Sequence, residues 1–334
     1  MDPLAAATGP ALETLLAPLG DDAYTPARCT TLAGVMEEIR ALKRERHAVI
    51  LAHNYQRPEI FAVADFVGDS LELARQATRV EADTIVFCGV HFMAETAKIL
   101  NPTRRVLLPD LRAGCSLADS VTAEDLAERK AELRAVYPDL AVVGYVNTTA
   151  DVKAECDACC TSSNAVRVVE ALPSEHILFV PDQNLAAYVQ SQTRKAIIAW
   201  DGNCYVHHQI TPEQIGAVKA ALPHVRVLAH PECRRDVLAL ADAVLSTSGM
   251  VRYARESDAH EFLVVTECGL SDRLLLEVPG KKFYKSCKLC HYMKMITLEG
   301  TRDTLRDLEP EITLAEDVRV RAARALERML ELGG

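Results

Sequence analysis

The chain has 334 residues, of which 49% are hydrophobic and 25% are charged, and its formal net charge is -10. This balance is typical of a folded globular protein, and it excludes wholesale disorder, a collagen-like chain and a coiled-coil rod. The acidic balance leaves no global basic footprint for nucleic acid or an anionic membrane, and an aromatic content of 5% is low for a base-stacking platform.

The start of the chain and its cysteines indicate the compartment. Residues 1–26 contain Asp and Glu but no Lys or Arg, so we expect a partly ordered leader and no signal peptide. No apolar run approaches the ~20 residues that a membrane helix needs. Eleven cysteines in a chain without an export signal favour metal ligation, chemistry or core packing over disulfides. The sequence therefore predicts a cytoplasmic protein that binds neither membranes nor nucleic acid.

Short apolar runs of strand length alternate with helix-like stretches along most of the chain. The runs cover residues 48–52, 85–90, 106–108, 140–143, 177–180, 196–199, 225–229, 262–265 and 283–284. Between them, Thr122 with Asp125 and Thr211 with Gln214 form capping patterns that predict helix starts. Short buried strands that alternate with helices indicate parallel α/β units.

Three passes of one pattern follow one another. In each pass a polar residue follows a strand, a hydroxyl residue comes 17 residues later, and a cysteine comes 59 to 62 residues after the polar residue. The polar residues are His53, Tyr145 and His230, the hydroxyl residues are Ser70, Ser162 and Thr247, and the cysteines are Cys115, Cys204 and Cys290. This repeat predicts an α/β fold of three similar parallel domains about a pseudo-threefold axis.

The repeat also gives domain boundaries. We predict a leader at residues 1–30, α/β domains at 31–118, 119–210 and 211–300, and a C-terminal helical segment at 301–334 that packs on the body. In that last segment, Thr313 with Glu316 forms another capping pattern, and the helix is expected to end at Gly333. Because function gathers at the carboxyl ends of parallel strands, the three units should converge on one site.

The three cysteines at equivalent positions suggest a metal centre. Three thiolates without a fourth equivalent suit a [4Fe-4S] cluster with one open iron, which acts as a Lewis acid on a bound oxygen. The alternative is that Cys115, Cys204 and Cys290 are small buried hydrophobic residues, since free cysteine is commonly buried. Their shared phase in the repeat favours the cluster.

The other cysteines allow several interpretations. Cys287 and Cys290 form a C-x-x-C pair, which by itself indicates a redox dithiol or half of a zinc site. No second pair lies at zinc-ribbon spacing, so Cys287 is a second thiol near the cluster or a redox switch. We expect a nearby group of cysteines to pack under a helix start, and find no partner for four others. The packed group is Cys156, Cys159 and Cys160, and the four are Cys29, Cys88, Cys233 and Cys268.

The hydroxyl and strand-end residues complete the candidate site. Ser70, Ser162 and Thr247 open predicted helices; taken singly each favours plain N-capping, but together they offer three helix starts for a carboxylate or phosphate. Each strand-end residue has a polar residue two positions later on the same side of the extended chain. These pairs are His53 with Tyr55, Tyr145 with Asn147, and His230 with Glu232. His, Tyr and Glu transfer protons, and His207 and His208 are weaker candidates.

These motifs resemble those of the quinolinate synthase family, the A-type enzymes of de novo NAD biosynthesis. The matching segments, from about Ile50 to Glu299, are ILAHNYQRPEI, DFVGDSLELAR, FMAETAKIL, AGCSLADS, GYVNTTADVKAE, CTSSNAV, VPDQNLAAYV, WDGNCYVHH, AHPEC, LSTSGM and CHYMKMITLE. Many family members have Tyr where Asn54 stands and an acidic residue near His208, so no role is carried over to these two positions.

The resemblance implies a fold, an activity and a site. The fold is a triangle of three similar α/β domains. The activity is that of a condensing enzyme, a transferase, which joins iminosuccinate to dihydroxyacetone phosphate and gives quinolinate with loss of phosphate and water. A transient contact with the enzyme that supplies iminosuccinate is also expected. The implied [4Fe-4S] ligands are Cys115, Cys204 and Cys290, and the implied substrate contacts are His53, Ser70, Tyr145, Asn147, Ser162, His230, Glu232 and Thr247.

We hypothesise individual roles within this set. Glu232 is the expected base for isomerisation and proton removal, Tyr55 and His230 relay protons, and His53 contacts the phosphate or its leaving oxygen. Other interpretations are an iron-sulfur hydro-lyase of another substrate, a non-catalytic iron-sulfur or thiol redox sensor, and a three-lobed binder whose cysteines only pack.

Overall fold

The computed structural model describes residues 9–20 and 24–333, so the first eight residues of the predicted leader, its residues 21–23 and Gly334 lie outside it. Helix α1 (Gly9–Leu16) leads through a 3-10 turn at Ala17–Leu19 to α2 (Pro26–Glu45). The hydroxyl of Thr25 accepts the N–H of Arg28 and so caps α2, whose first residue is a proline. Helix α2 runs through residue 30, where the predicted leader ends.

The elements that follow repeat one order three times, and two helices close the chain. The first unit contains β1 (Ala48–His53), α3 (Pro58–Phe61), β2 (Phe66–Gly68), α4 (Ser70–Arg79), β3 (Thr84–Cys88), α5 (His91–Leu100) and β4 (Arg105–Leu107). The second contains α6 (Ala123–Val136), β5 (Ala141–Tyr145), α7 (Ala150–Ala154), β6 (Ala158–Cys160), α8 (Ala165–Ala171), β7 (His176–Val180), α9 (Gln183–Gln192) and β8 (Ala196–Ala199). The third contains α10 (Tyr205–His208), α11 (Pro212–Ala221), β9 (Arg226–Ala229), α12 (Arg235–Leu238), β10 (Ala243–Val244), α13 (Thr247–Glu256), β11 (Glu261–Val265), α14 (Cys268–Glu277) and β12 (Lys282–Lys285). Helices α15 (Leu298–Asp307) and α16 (Glu316–Leu332) follow.

Each unit forms its own four-stranded parallel sheet. The strand orders are β2-β1-β3-β4, β6-β5-β7-β8 and β10-β9-β11-β12, which is the same topology three times. The two central strands of each sheet are covered on both faces, which explains why they appear in the sequence as continuous apolar runs. The α/β class with three similar parallel units is therefore confirmed.

Each sheet also has an edge strand that the sequence analysis did not predict. The strands β2, β6 and β10 are only two or three residues long, too short to show any periodicity. They pair with the first strand of their unit, so that Gly68 lies beside His53 and Cys160 beside Tyr145. This pairing explains the 17-residue spacing, because it brings each hydroxyl residue close to a strand end.

The capping predictions have mixed outcomes. Thr122 and Thr211 cap α6 and α11 as expected. The prediction for Thr313 is wrong: α16 begins at Glu316 without a side-chain cap. The preceding chain is held extended against β4, where the N–H of Ile312 donates to the carbonyl of Val106, so the helix starts later. Helix α16 packs on α7 and β6, and Gly333 follows its last residue.

Candidate active site

The carboxyl ends of the three sheets border one cavity with an empty volume of about 580 Å³. All twelve main candidates from the sequence line it, and so does His207, one of the two weaker candidates; the other, His208, does not. The predicted residues are His53, Tyr55, Ser70, Cys115, Tyr145, Asn147, Ser162, Cys204, His230, Glu232, Thr247 and Cys290. Convergence of three strand ends therefore brings the predicted set together, while the role of each member stays a prediction.

Two strand-end histidines adopt the same local arrangement. Nδ1 of His53 accepts the backbone N–H of Tyr55 at 3.2 Å, and Nδ1 of His230 accepts that of Glu232 at 3.4 Å. Burial, together with the neighbouring histidine, lowers the pKa of His53 to about 3; burial also lowers the pKa of His230 to about 3, against the opposing charge of Glu232. Both imidazoles are therefore neutral at pH 7, and because Nδ1 accepts, each carries its proton on Nε2.

Glu232 is the electrostatic centre of the site. Its Oε1 accepts the hydroxyl of Tyr145 at 2.5 Å, and its Oε2 lies 3.0 Å from Nδ1 of His207. Burial alone raises the pKa of the Glu232 carboxyl, but His207, His230 and the hydrogen bonds from His207 and Tyr145 outweigh it and hold the pKa well below its usual value. Glu232 is therefore an ionised carboxylate in a site from which water is largely excluded.

A chain of hydrogen bonds continues from Glu232 to the far side of the cavity. Nε2 of His207 lies 2.9 Å from the hydroxyl of Thr266, which lies 2.6 Å from the hydroxyl of Tyr55. With Glu232 ionised, the donors all point one way, from Tyr55 through Thr266 and His207 to the carboxylate. Burial raises the pKa of both Tyr55 and Tyr145 well above the ordinary value, so both phenols stay protonated. His207 was only a weaker candidate in the sequence, and Thr266 was not predicted.

Plain N-capping would require the hydroxyl residues at the helix starts to cap their helices, and they do not. Asp69 caps α4 and Ser246 caps α13, so Ser70 and Thr247 are the first residues inside their helices. The hydroxyl of Thr247 accepts Nδ2 of Asn54 at 2.7 Å. Ser162 lies in the turn before α8. Asp69 is the cap of α4, and α8 begins after Asn164 without a side-chain cap, so neither Ser70 nor Ser162 caps a helix.

Asn147 carries an open acceptor. Its Oδ1 is buried and has no hydrogen-bond partner within the described chain. Because an unpaired buried oxygen is costly, the position points to a ligand group or water that would complete it.

The three cysteines that line the cavity share one local structure. Each precedes a short helical turn, at Ala118–Ser120, Tyr205–His208 or Met293–Met295. In each, the backbone N–H three residues later faces the sulfur and lowers the pKa of the thiol. Burial is the larger effect: it raises the pKa of Cys115 to about 12 and the pKa values of Cys204 and Cys290 above the ordinary value. Metal binding would have to displace these protons.

This donor set fits a [4Fe-4S] cluster. Three thiols from three units line one cavity, each facing a backbone donor, and no other cysteine of the described residues lines it. Three ligands leave one iron without a protein donor, as a catalytic cluster requires. A second donor set overlaps with this one, because single atoms of Cys204, His207 and Glu232 lie within 4.8 Å of one another and suit a single metal ion.

The remaining cysteines correct one expectation. Cys287 does not pair with Cys290; it forms a disulfide with Cys268, for which no partner was predicted. The two lie 19 residues apart, where α14 begins and where the chain approaches Cys290. The sequence spacing indicated only the C-x-x-C pair. Cys268 comes close to Cys287 because β11 pairs with β12, and sequence spacing does not show this pairing. Cys159 and Cys160 are buried and Cys156 packs against Gly144 of β5, so these cysteines pack in the interior, while their position under a helix start stays a prediction.

Two buried carboxylates behind the cysteines were also missed. Asp182 and Glu267 each follow the third strand of their unit by two residues, and each accepts the backbone N–H of a cysteine that lines the cavity. Their sequence signal was an acidic residue 22 or 23 residues before Cys204 and Cys290. It was hidden because the first unit has Val90 at this place.

Within the residues that the structure describes, no helix is both long and apolar enough to cross a membrane.

Comparison with known proteins gives one family. The family model described as "Quinolinate synthetase A protein" matches residues 37–331. A protein of Desulforudis audaxviator named "Quinolinate synthase" is 54% identical, covering 89% of this chain and 98% of its own length. Proteins of Thermodesulfovibrio yellowstonii ("Quinolinate synthase") and Methanosarcina acetivorans ("Quinolinate synthase 1") are 53% and 49% identical, each over 89% of this chain and over 98% and 97% of their own lengths.

Proposed function

The chain belongs to the quinolinate synthetase A family, an enzyme family, and we propose that it condenses iminosuccinate with dihydroxyacetone phosphate to quinolinate with loss of phosphate and water. The observation that carries the proposal is the single cavity in which three thiols, two neutral histidines and the ionised Glu232 face one another. A cavity with these groups suits proton removal and dehydration of a small anionic substrate.

Cys115, Cys204 and Cys290 would hold a [4Fe-4S] cluster, whose open iron supplies a Lewis acid for a substrate oxygen. The backbone N–H groups that face the three sulfurs would stabilise them as thiolates. His207, with Nδ1 at 3.3 Å from the sulfur of Cys204, orients that ligand.

The substrates are anionic, yet no lysine or arginine lines the cavity in the described part of the chain. We assign their carboxylates and phosphate to neutral donors: the Nε2–H groups of His53 and His230 and the first N–H groups of the ten-residue helices α4 and α13, since the N–H groups of Glu72 and Gly249 donate to the caps. Ser70 and Thr247 stand at those helix starts, and Ser162 adds a hydroxyl from the second unit. Asn147 would accept a donor group of the substrate through its unpaired Oδ1.

Glu232 is the general base. Its depressed pKa keeps it ionised at neutral pH, and it lines the cavity, so it can take a proton from the substrate. The hydrogen bonds through His207 and Thr266 then connect it to Tyr55, a protonated phenol at another wall of the same cavity. The groups that take a proton from the substrate and give one back therefore lie at two walls of the cavity and belong to one hydrogen-bonded chain.

The test is anaerobic purification with iron and sulfide quantification, followed by a quinolinate assay that omits each substrate in turn. We expect about four irons and four sulfides per chain and product only with both substrates. Cys115→Ala should lose the cluster and the activity. Cys29→Ala, which changes a buried cysteine of α2 away from the cavity, should keep both.

Two outcomes would contradict the proposal. A chain with one metal ion and no sulfide would favour the donor set of Cys204, His207 and Glu232. A chain with the cluster but no quinolinate would favour a hydro-lyase of another substrate or a redox sensor.

A further inference from the structure

The three cysteine segments are attached to the sheets by one repeated backbone contact. In each unit, the residue after the N-cap of the helix that follows the third strand donates its N–H to the carbonyl two residues before the cysteine. The pairs are His91 with Ala113 at 2.7 Å, Gln183 with Gly202 at 2.8 Å, and Cys268 with Lys288 at 3.3 Å. The backbone therefore places all three segments in the same way.

Two units add a side chain to this contact. Oδ2 of Asp182 accepts the backbone N–H of Cys204 at 3.1 Å, and Oε1 of Glu267 accepts that of Cys290 at 3.1 Å. The second oxygen of each carboxylate holds its own helix, through Leu185 at 2.7 Å for Asp182 and through Gly269 at 2.6 Å for Glu267. The first unit has Val90 at the N-cap of α5, so Cys115 has no such partner.

Helix capping does not account for these residues. Both side chains are fully buried, and a serine, threonine or asparagine would cap a helix without burying a carboxyl group. Asp182 has no cation within ion-pair distance in the described chain, so its bonds come from backbone N–H groups alone. Glu267 has Lys294 at 3.3 Å, which also donates to the carbonyl of Tyr55 and so joins the cysteine turn to the site.

Two glycines show how closely these segments are packed. A Cβ on Gly202 would lie 2.5 Å from the carbonyl oxygen of Pro181, and one on Gly269 would lie 2.8 Å from Oε2 of Glu267. Real side chains do not approach so closely, so glycine is required where the backbone meets each carboxylate segment.

We propose that Asp182 and Glu267 are positioning residues for the metal centre: each fixes the backbone of one cysteine, so that Cys204 and Cys290 are in place before iron binds, whereas Cys115 is held by backbone contacts alone. This inference rests on the proposed cluster, and it adds two residues that act through the backbone of a cysteine ligand. Partners behind a metal ligand orient it, and their loss commonly costs about 10- to 100-fold in metal affinity.

The variants separate positioning from capping. Asp182→Ser keeps a good N-cap for α9 but is too short to reach Cys204. Asp182→Asn and Glu267→Gln keep the shape but replace one accepting oxygen with an NH₂ group that faces a backbone N–H. Thr211→Ala, which removes the cap of α11 away from the cavity, is the matched control for the loss of a helix cap.

Two measurements on the anaerobically purified full chain test the proposal. The first is the rate of iron loss to EDTA, which we expect to be about 10- to 100-fold faster in the three site variants and unchanged in Thr211→Ala. The second is hydrogen exchange at the backbone N–H groups of Cys204 and Cys290 in the iron-free chain, which should quicken only at the cysteine whose carboxylate is changed.

Wild-type rates of both iron loss and exchange in Asp182→Ser would overturn the proposal, since capping alone would then explain the carboxylate. If the wild-type chain binds no iron and sulfide, the proposed function fails. Hydrogen exchange in the iron-free chain then decides whether the two carboxylates hold the cysteine segments, because it needs no cluster. A variant that unfolds is recognised by its thermal unfolding midpoint, and the remaining two variants then carry the test.

Discussion

The strand ends of the first and third units differ from that of the second, although the three sheets have the same topology. His53 and His230 fold Nδ1 back onto a backbone N–H two residues later in their own unit. Tyr145 stands at the corresponding place in the second unit, and its hydroxyl instead crosses the cavity to Glu232. The repeat thus fixes where a side chain begins, and the reach of that side chain decides whether it acts within its unit or between units.

The residues two positions later show the same contrast. Tyr55 and Glu232, from the first and third units, are the two ends of the hydrogen-bonded chain. Asn147, from the second unit, is outside that chain and has a free Oδ1. The strand end of the second unit therefore contributes one donor to the carboxylate and one open acceptor, while the strand ends of the other two units supply the two ends of the hydrogen-bonded chain.

The strongest way to break this comparison is Glu232→Gln. The amide carries no charge and cannot accept a proton at neutral pH, so turnover should fall about 10²- to 10⁴-fold. The measurement is quinolinate formation per iron-loaded chain. Glu256→Gln, at an exposed position on α13, is the control and should be near wild type. Turnover within a few fold of wild type in Glu232→Gln would remove this residue from the mechanism.

Tyr145→Phe removes only the contact that crosses from the second unit. A hydrogen bond to a charged group is worth about 1.5–3 kcal/mol, so kcat should fall roughly 10- to 100-fold. Tyr137→Phe, whose ring stacks on His176 outside the cavity, provides the comparison. Equal rates for the two variants would mean that Glu232 does not depend on the second unit.

Asn147→Ala tests the open acceptor. Because Oδ1 has no partner in the free chain, we expect KM to rise about 2- to 12-fold, as the loss of one neutral hydrogen bond predicts, with an unchanged thermal unfolding midpoint. Asn184→Ala, beside His208, should leave KM unaltered. An unchanged KM together with a lower midpoint would show that Asn147 has a structural role instead.

The two histidines predict a pH dependence of stability. Their pKa values, about 3 when folded, lie below the ordinary value of 6.5, so between these limits the unfolded chain binds more protons than the folded chain. Stability of the iron-free chain should therefore fall as the pH falls from 6.5 towards 3, and above 6.5 the histidines contribute no slope. Each histidine contributes up to about 1.4 kcal/mol per pH unit to the change in the free energy of unfolding.

His230→Gln should make the plot of the free energy of unfolding against pH less steep between pH 6.5 and 5. Titration of carboxylates contributes little to that slope in this range. Urea unfolding at several pH values measures it, with His224→Gln, at a position outside the cavity, as the control. If the free energy of unfolding depends on pH in the same way in wild type and in His230→Gln, the imidazole of His230 is not held neutral in the folded chain.

The sequence predicted most of the fold and a group of residues that line one cavity. All nine apolar runs became strands, and the six central ones are covered on both faces and so need continuous hydrophobic residues. The edge strands β2, β6 and β10 were missed, since two or three residues carry no pattern. The cap at Thr313 was wrong because a contact with β4 keeps the chain extended there.

The sequence by itself determined the threefold repeat, and with it which residues share the cavity, because equal spacing in equal units places equivalent residues at equivalent strand ends. Only the tertiary structure decided which atoms meet there: Glu232 with Tyr145 and His207, Asp182 with Cys204, and Cys268 with Cys287. The physical reason is that local spacing fixes the backbone of one segment only. These partners are 19 to 87 residues apart, so their contacts depend on how separate segments pack.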